Sequence, residues 1–316
     1  MPPREPQPGA PGHPLTRALL ATRPAFLSVT LVGCLVGFAS AAGDGVAFLA
    51  GPAVLAVLAV LCAHAGVNVL NDYYDHLNGT DARNTARVFP FTGGSRMIQN
   101  GVMTPRETAV LGCALFGVTI VAGLVLLAPM RPALLAIGAA GLLIGWGYSA
   151  PPLAFASRGF GEPAVAAGFL LVVVGADVVQ RGTLTWAPVV AGFGYALLVA
   201  NVLFINQFPD READGAAGKR TWVVRLGAQT ACRGYPVIAG LAFAWVAAAV
   251  AAGLLPARAL WSLAAAPLAW TAMTRLRAWV RGAGELAPAI RATIGAALLH
   301  GLIISLTLAS PRWFTP

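Results

Sequence analysis

The 316-residue chain is 58% hydrophobic, only 10% charged, and has a mean hydropathy of +0.74. Soluble domains carry about 25% charged residues, so this balance excludes an ordinary soluble globular protein and indicates a polytopic membrane protein. The net charge of +9 would suit a nucleic-acid binder if its basic residues shared one soluble face, but they are sorted by loop, and membrane topology accounts for them without nucleic acid.

The Pro-rich beginning has no apolar pattern, and residues 1–18 are expected to form a disordered tail ahead of a single transmembrane domain over 19–316. Apolar segments long enough to span at about 20 residues each run approximately over 24–43, 46–70, 107–129, 132–150, 162–180, 186–208, 234–254, 257–279 and 286–309. They predict an all-α bundle of about nine transmembrane helices. In that topology Arg4, Arg17, Arg23, Arg83, Arg87, Arg96, Arg106, Arg158, Arg211, Lys219, Arg220, Arg225, Arg233, Arg275, Arg277 and Arg281 fall on one side, while Arg131, Arg181, Arg258 and Arg312 fall on the other. The positive-inside rule then puts the first group and the N-terminus in the cytoplasm, the protein being a multi-pass component of the cell (inner) membrane. The first apolar run is of spanning length, so no cleavable signal peptide is expected. Cys34, Cys62, Cys113 and Cys232 have no metal-ligand spacing and are expected to be reduced.

Arg23-Pro24 places a charge and a helix-starting proline at the membrane edge, and Gly33 and Gly37 have the small-xxx-small spacing of close helix packing. The second span ends in Asn68-Val-Leu-Asn71-Asp72-Tyr-Tyr-Asp75. On a helix Asn68, Asp72 and Asp75 stand at i, i+4 and i+7, with Asn71 four before Asp75, so these oxygens line one face. Closely set carboxylates repel, and each costs roughly 2.5–3.5 kcal/mol at the bilayer centre, which calls for a cation. Hard oxygen ligands without clustered His or Cys suit Mg2+, which uses one or two carboxylates and fills its remaining positions with water and substrate phosphate. His64 lies one turn before Asn68 on the same face, where it is either a satisfied structural histidine or a ligand or acid–base group.

From Leu77 to Arg106 the chain is polar and irregular. It contains Asp81, Arg83, Arg87 and the run Thr92-Gly93-Gly94-Ser95-Arg96, in which glycines permit close backbone approach and Arg96 is a phosphate-contact candidate. The fourth span has Gly141 and Gly145 at packing spacing and leaves through Tyr148-Ser-Ala-Pro151-Pro152, with Tyr148 a site-lining or interfacial residue. Asp177 and Arg181 at i, i+4 are expected to pair locally. The sixth span repeats the first theme, with Asn206, Asp210 and Asp214 at i, i+4 and i+8. Pro209 is expected to kink or break the helix there. The two motifs suggest a weak internal repeat of four helices each, with the ninth added. Gly218-Lys219-Arg220-Thr221 imitates a phosphate loop, but Ala213 and the lack of a βαβ context reject that, leaving Lys219 as a diphosphate contact. His300 and Arg291 are read as structural.

Two acidic clusters beside basic loops at one mouth of an apolar bundle call for a ligand with a phosphorylated head and an apolar tail. The strings Asn68-Val-Leu-Asn71-Asp72-Tyr-Tyr-Asp75 followed by Asp81, and Asn206-Gln-Phe-Pro-Asp210-Arg-Glu-Ala-Asp214 followed by Lys219, resemble the two signature motifs of the UbiA superfamily of intramembrane prenyltransferases over roughly residues 20–310. That resemblance implies a helical bundle around a central cavity and a magnesium-dependent transfer of a polyprenyl group from its diphosphate to an aromatic acceptor. By it Asp72, Asp75, Asp210 and Asp214 would hold the metals, Asn68, Asn71 and Asn206 would assist, Arg96 and Lys219 would touch phosphate, and Asp81 would serve as a base or a supporting group. Thr92-Gly-Gly-Ser-Arg96 and Tyr148-Ser-Ala-Pro-Pro look like the menaquinone branch, which prenylates 1,4-dihydroxy-2-naphthoate. Gln207-Phe208-Pro209 departs from that branch and leaves 4-hydroxybenzoate or a specialised acceptor as the alternative. A secondary transporter is the remote one, disfavoured because the acids cluster at helix ends rather than at the midplane.

Overall fold

A computed structural model describes residues 5–7, 13–127 and 132–309. In order the helices are α1 (Pro14–Ala21), α2 (Pro24–Gly43), α3 (Ala50–Leu77), α4 (Thr80–Arg83), α5 (Pro105–Leu127), α6 (Ala133–Gly147), α7 (Phe155–Arg158), α8 (Gly161–Arg181), α9 (Ala187–Ala216), α10 (Trp222–Leu226), α11 (Ala228–Ala231), α12 (Gly234–Ala251), α13 (Ala266–Val280) and α14 (Ala287–Ala309). A 3-10 segment, Ala257–Ala265, precedes α13. Among the described residues there is no strand.

The fold is an all-helical membrane bundle, as the composition predicts. Among the described residues, 7 helical segments can cross a membrane by length and apolarity: α2, α3, α5, α8, α9, Ala228–Ala251 and α14. The two other expected spans are shorter. One is the 15-residue α6, and the other divides into the 3-10 segment and α13, whose Arg275 and Arg277 dilute its apolar character. Residues 14–18, expected in the disordered tail, belong instead to α1, which begins at Pro14 and is capped by His13 Nδ1 accepting from the Leu15 amide at 3.3 Å. Residues 1–4 and 8–12 of that expected tail, and Arg131 and Arg312 of the expected topology, lie outside the described residues.

The central core joins α2, α8, α9, α12 and α14 through residues such as Val36, Val173, Tyr195, Val246 and Ile304. The Tyr195 hydroxyl donates to the Val29 carbonyl, fixing α9 against α2. Gly37 has the packing role its spacing predicts, since a Cβ there would meet Ala176 Cβ at 2.7 Å and the Asp177 nitrogen at 3.0 Å. At the end of the bundle remote from the acidic motifs, Arg181 donates to Asp177 at 2.7 and 2.9 Å, as expected, and pairs with Asp44 at 2.7 Å.

Helix α3 has 28 residues and α9 has 30. At about 1.5 Å per residue they are about 42 and 45 Å long, more than the roughly 30 Å hydrocarbon layer, so their terminal turns project past it. Those turns carry the acids. A kink or break is expected at Pro209 from the sequence, and α9 is not broken there but runs on through it. Proline deletes a single backbone donor, and the surrounding packing, with Phe204, Ile205 and Phe208 buried on the same turns, holds the helical path.

Candidate active site

The C-terminal turns of α3 and α9 and the loop over residues 78–104 converge at one mouth of the bundle. Asp72 is buried, paired with Arg23 through one oxygen, and accepts from the Ser95 amide at 3.0 Å through the other. Asp75 accepts from Asn71 at 3.1 Å and from Asn78 at 3.2 Å. Asp210 accepts from the Asn84 amide at 2.6 Å, with the Thr92 hydroxyl and Gly93 amide also on it. Lys219 joins the two acidic motifs, its Nζ standing 2.7 Å from Asp75 and 3.3 Å from Asp214. Burial alone would lower the pKa of this ammonium, but Asp75 and Asp214 outweigh it and hold Lys219 above the ordinary lysine value.

The glycine-rich run turns its backbone toward these carboxylates. Gly93 and Gly94 have φ of 75° and 77°, and a Cβ on Gly94 would come 2.7 Å from Asp81 Oδ2 and 3.0 Å from Asp72 Oδ1. Only glycine lets the loop lie this close without strain. Asp81 is buried within it. Burial, and then the charges of Asp75 and Asp72, push its carboxyl well above the usual range.

The predicted residues thus share one place, though not always in the predicted role. Asn68 donates to the Thr22 carbonyl at 2.9 Å, and Asn71 also reaches Ser149 at 3.1 Å. Asn206 and Tyr148 line the cavity below. Arg96 is buried and donates to the Asp81 carbonyl at 2.5 Å, bracing the loop from behind. Arg83 binds the Gly79 carbonyl at 3.0 Å and Arg87 binds Glu5 at 2.8 Å, so neither touches the acids. Two contributors escaped the sequence. Arg23, which reads there as a membrane-edge charge, adopts φ of 53° at the start of α2 and turns its guanidinium onto Asp72 and, at 3.3 Å, onto Asn71. Asn84 is the other, a carboxamide three residues beyond Asp81 and of the kind that ligates or braces an acid.

The donor set suits a hard divalent cation: five carboxylates with carboxamide oxygens, and no competing thiol or imidazole in the cluster. Asp81 Oδ2, Asn84 Oδ1 and Asn206 Oδ1 are buried acceptors without a partner, and Arg23 Nε and Arg96 Nε are buried donors without one. Among the described residues no three acids stand as a ready metal cage, and Arg23 and Lys219 occupy oxygens of Asp72, Asp75 and Asp214.

Below the mouth lies a cavity of about 560 Å³ bounded by α2, α3, α5, α6, α8 and α9. Its wall is overwhelmingly apolar. Leu124 of α5 and Leu135 of α6 line it and are also exposed on the outside of the bundle, which opens the cavity sideways toward lipid. Glycines make room. Gly145 packs as its spacing predicts, a Cβ there meeting Val67 at 2.9 Å, but Gly141 has nothing within 4 Å and faces the cavity rather than a helix.

The UbiA prenyltransferase family profile matches residues 30–306. The 1,4-dihydroxy-2-naphthoate octaprenyltransferase of Mycobacterium leprae is 31% identical over 265 residues, covering 81% of this chain and 85% of that protein. The protein of the same description in Escherichia coli is 29% identical over 308 residues, covering 93% and 96%. Among solved structures, a UbiA homolog from Archaeoglobus fulgidus bound to GPP and Mg2+ superposes with a TM-score of 0.65 at 18% identity, over 93% of this chain and 100% of that one. A UbiA homolog from Aeropyrum pernix gives 0.64 at 20% identity, over 88% and 97%.

Proposed function

Because this chain belongs to the UbiA prenyltransferase family, and is a multi-pass membrane prenyltransferase, we propose that it transfers a polyprenyl group from an isoprenyl diphosphate to 1,4-dihydroxy-2-naphthoate, in menaquinone biosynthesis, with Mg2+ as cofactor. One observation carries the diphosphate half of this reading. Unpartnered buried donors and unpartnered buried acceptors coexist at one mouth, a state that costs about 1–3 kcal/mol per group and that a cation–diphosphate pair would relieve on both sides. The relatives' description supports the acceptor half.

In this reading Asp72, Asp75, Asp210 and Asp214 hold the metal. A divalent cation there supplies charge neutralisation for the departing diphosphate. Lys219 and Arg23 are placed to exchange carboxylate for phosphate oxygens, while Arg96, which braces the loop, has a buried Nε donor without a partner. Asn71 and Asn206 orient the head group, while Gly93 and Gly94 keep water out by closing the loop on the acids. The cavity takes the apolar tail through its lipid-facing side and shields the allylic carbon from water as its bond to oxygen breaks. Tyr148, at the top of the cavity, borders the space left for the aromatic ring. The basic loops around the mouth orient it to the cytoplasm in the cell (inner) membrane.

The test is transfer by purified protein in lipid, with Mg2+ and a polyprenyl diphosphate, offering 1,4-dihydroxy-2-naphthoate and 4-hydroxybenzoate separately. Product from the naphthoate alone is expected, abolished by chelation and reduced about 10²–10³-fold or more by Asp72→Ala or Asp210→Ala. Product from 4-hydroxybenzoate alone would overturn the acceptor; diphosphate release with neither would assign another nucleophile.

A further inference from the structure

One polar pair lies deeper in the cavity than the mouth. Thr30 of α2 and His64 of α3 both line the wall, with Thr30 Oγ1 2.6 Å from His64 Nδ1. The imidazole meets Phe169 edge-on, the ring centroids 5.5 Å apart and the planes at 88°. Its Nδ1 is therefore satisfied and its orientation fixed from two sides. His64 is only half-buried and lines the cavity, and its Nε2 has no hydrogen-bond partner among the described residues. His64 is four residues before Asn68 and eight before Asp72, so it stands about 6 Å and 12 Å deeper along the same face of α3.

A prenyl chain offers no hydrogen-bonding group, and an open imidazole nitrogen along its path would lose its hydration with nothing in exchange. The negative charges of both substrates are matched by Arg23 and Lys219 at the mouth. The ring hydroxyl of a phenolic acceptor is what remains, and because it both donates and accepts it fits either tautomer of His64. We propose that His64 is an acceptor-binding residue whose Nε2 hydrogen-bonds a ring hydroxyl of the aromatic acceptor, and that Thr30 is the positioning residue that fixes the imidazole. This rests on an aromatic acceptor, as in the proposed function, and names the group that selects it.

The test measures KM separately for the polyprenyl diphosphate and for the aromatic acceptor that wild type prenylates. His64→Phe, which keeps a ring but removes both nitrogens, is expected to raise the acceptor KM about tenfold and leave the diphosphate KM within about twofold. His64→Gln returns a polar group near Nε2 and is expected to restore most of the loss. Thr30→Val is expected to give an intermediate acceptor KM, with recovery in Thr30→Ser. Wild type is expected to lose about the same tenfold on an acceptor with that hydroxyl methylated, and His64→Phe nothing further. Equal changes in both KM values, or a fall in unfolding midpoint with no selective effect on the acceptor, would make the pair a tether between α2 and α3 and overturn the proposal. Wild type that prenylates neither naphthoate nor benzoate would remove the aromatic-acceptor reading and this inference with it, a result separate from normal wild-type turnover with an unselective His64 variant.

Discussion

Lys219 donates to Asp75 at 2.7 Å across the gap between the two acidic motifs, and its other carboxylate partner is Asp214 on α9. The ammonium is thus a cation built into the site, holding together acids that would otherwise repel. Lys219→Met removes it and leaves the half-buried Asp75 and the buried Asp214 without their shared cation. Breaking a buried pair of this kind costs about 3–5 kcal/mol. The expected result is a lower unfolding midpoint without divalent cation, a larger rise on adding Mg2+ than wild type shows, and turnover reduced about 10²–10³-fold. A variant with wild-type stability and an unchanged response to Mg2+ would show that Lys219 does not neutralise the cluster.

Gly94 is the position where the loop touches the acids. Alanine there keeps a left-handed φ of 77° and brings its Cβ to 2.7 Å from Asp81 Oδ2. Gly101 provides the comparison, with φ of 68° and nothing within 4 Å of an added Cβ. Gly101→Ala is expected to cost about 1 kcal/mol from backbone strain alone, and Gly94→Ala to cost more and to lower turnover as well. Unfolding midpoints and rates for the two variants separate strain from the contact. Equal effects would mean that the loop is free to withdraw from Asp72 and Asp81.

Local spacing makes both acidic motifs of the site legible. Asn68, Asn71, Asp72 and Asp75 fall on one helical face by arithmetic, and so do Asn206, Asp210 and Asp214. What joins the halves is not local: Asn84 meets Asp210 across 126 positions of chain, and no periodicity encodes that bond. Arg23 was hidden for another reason. Its place before Pro24 reads as a membrane-edge charge, and only its left-handed backbone turns the side chain onto Asp72. Arg96 shows the converse, since an arginine among glycines reads as a phosphate contact while its Nη1 braces the Asp81 carbonyl. Gly141 and Gly145 share a spacing but not a role, because spacing locates a face of α6 without saying whether a helix or a cavity lies opposite.

The cavity side of Gly141 gives a test of where the prenyl chain lies. Nothing stands within 4 Å of a Cβ added there, so a leucine side chain would project into the cavity without displacing a helix. Gly141→Leu is expected to spare a short donor and to slow a long one, raising the short-to-long ratio of kcat/KM about tenfold or more. Competition between geranyl and longer polyprenyl diphosphates measures that ratio. An unchanged ratio would move the chain to another wall.

The segment before α1 is fastened to the loop over the site by Glu5, which accepts from Arg87 at 2.8 and 3.0 Å and from Asn100 at 3.3 Å, while the Pro6 carbonyl accepts from Asn100 at 2.8 Å. The hydrogen bond from Arg87 outweighs the opposing effect of burial and holds the Glu5 carboxyl below the ordinary value of 4.5. A depressed carboxyl pKa stabilises the folded arrangement above the unfolded value, and that contribution is lost as pH falls through the folded one. Both side chains are about a quarter exposed, at 23% and 24%, so the pair is worth about 0–1 kcal/mol. The unfolding midpoint of wild type is therefore expected to exceed that of Glu5→Gln by a small, constant amount near neutral pH, with the difference closing below the ordinary glutamate range and shrinking in high salt. A difference that persisted in acid would mean that Glu5 acts there through its size or its hydrogen bonding as a neutral group, and that its charge does not fasten the segment to Arg87.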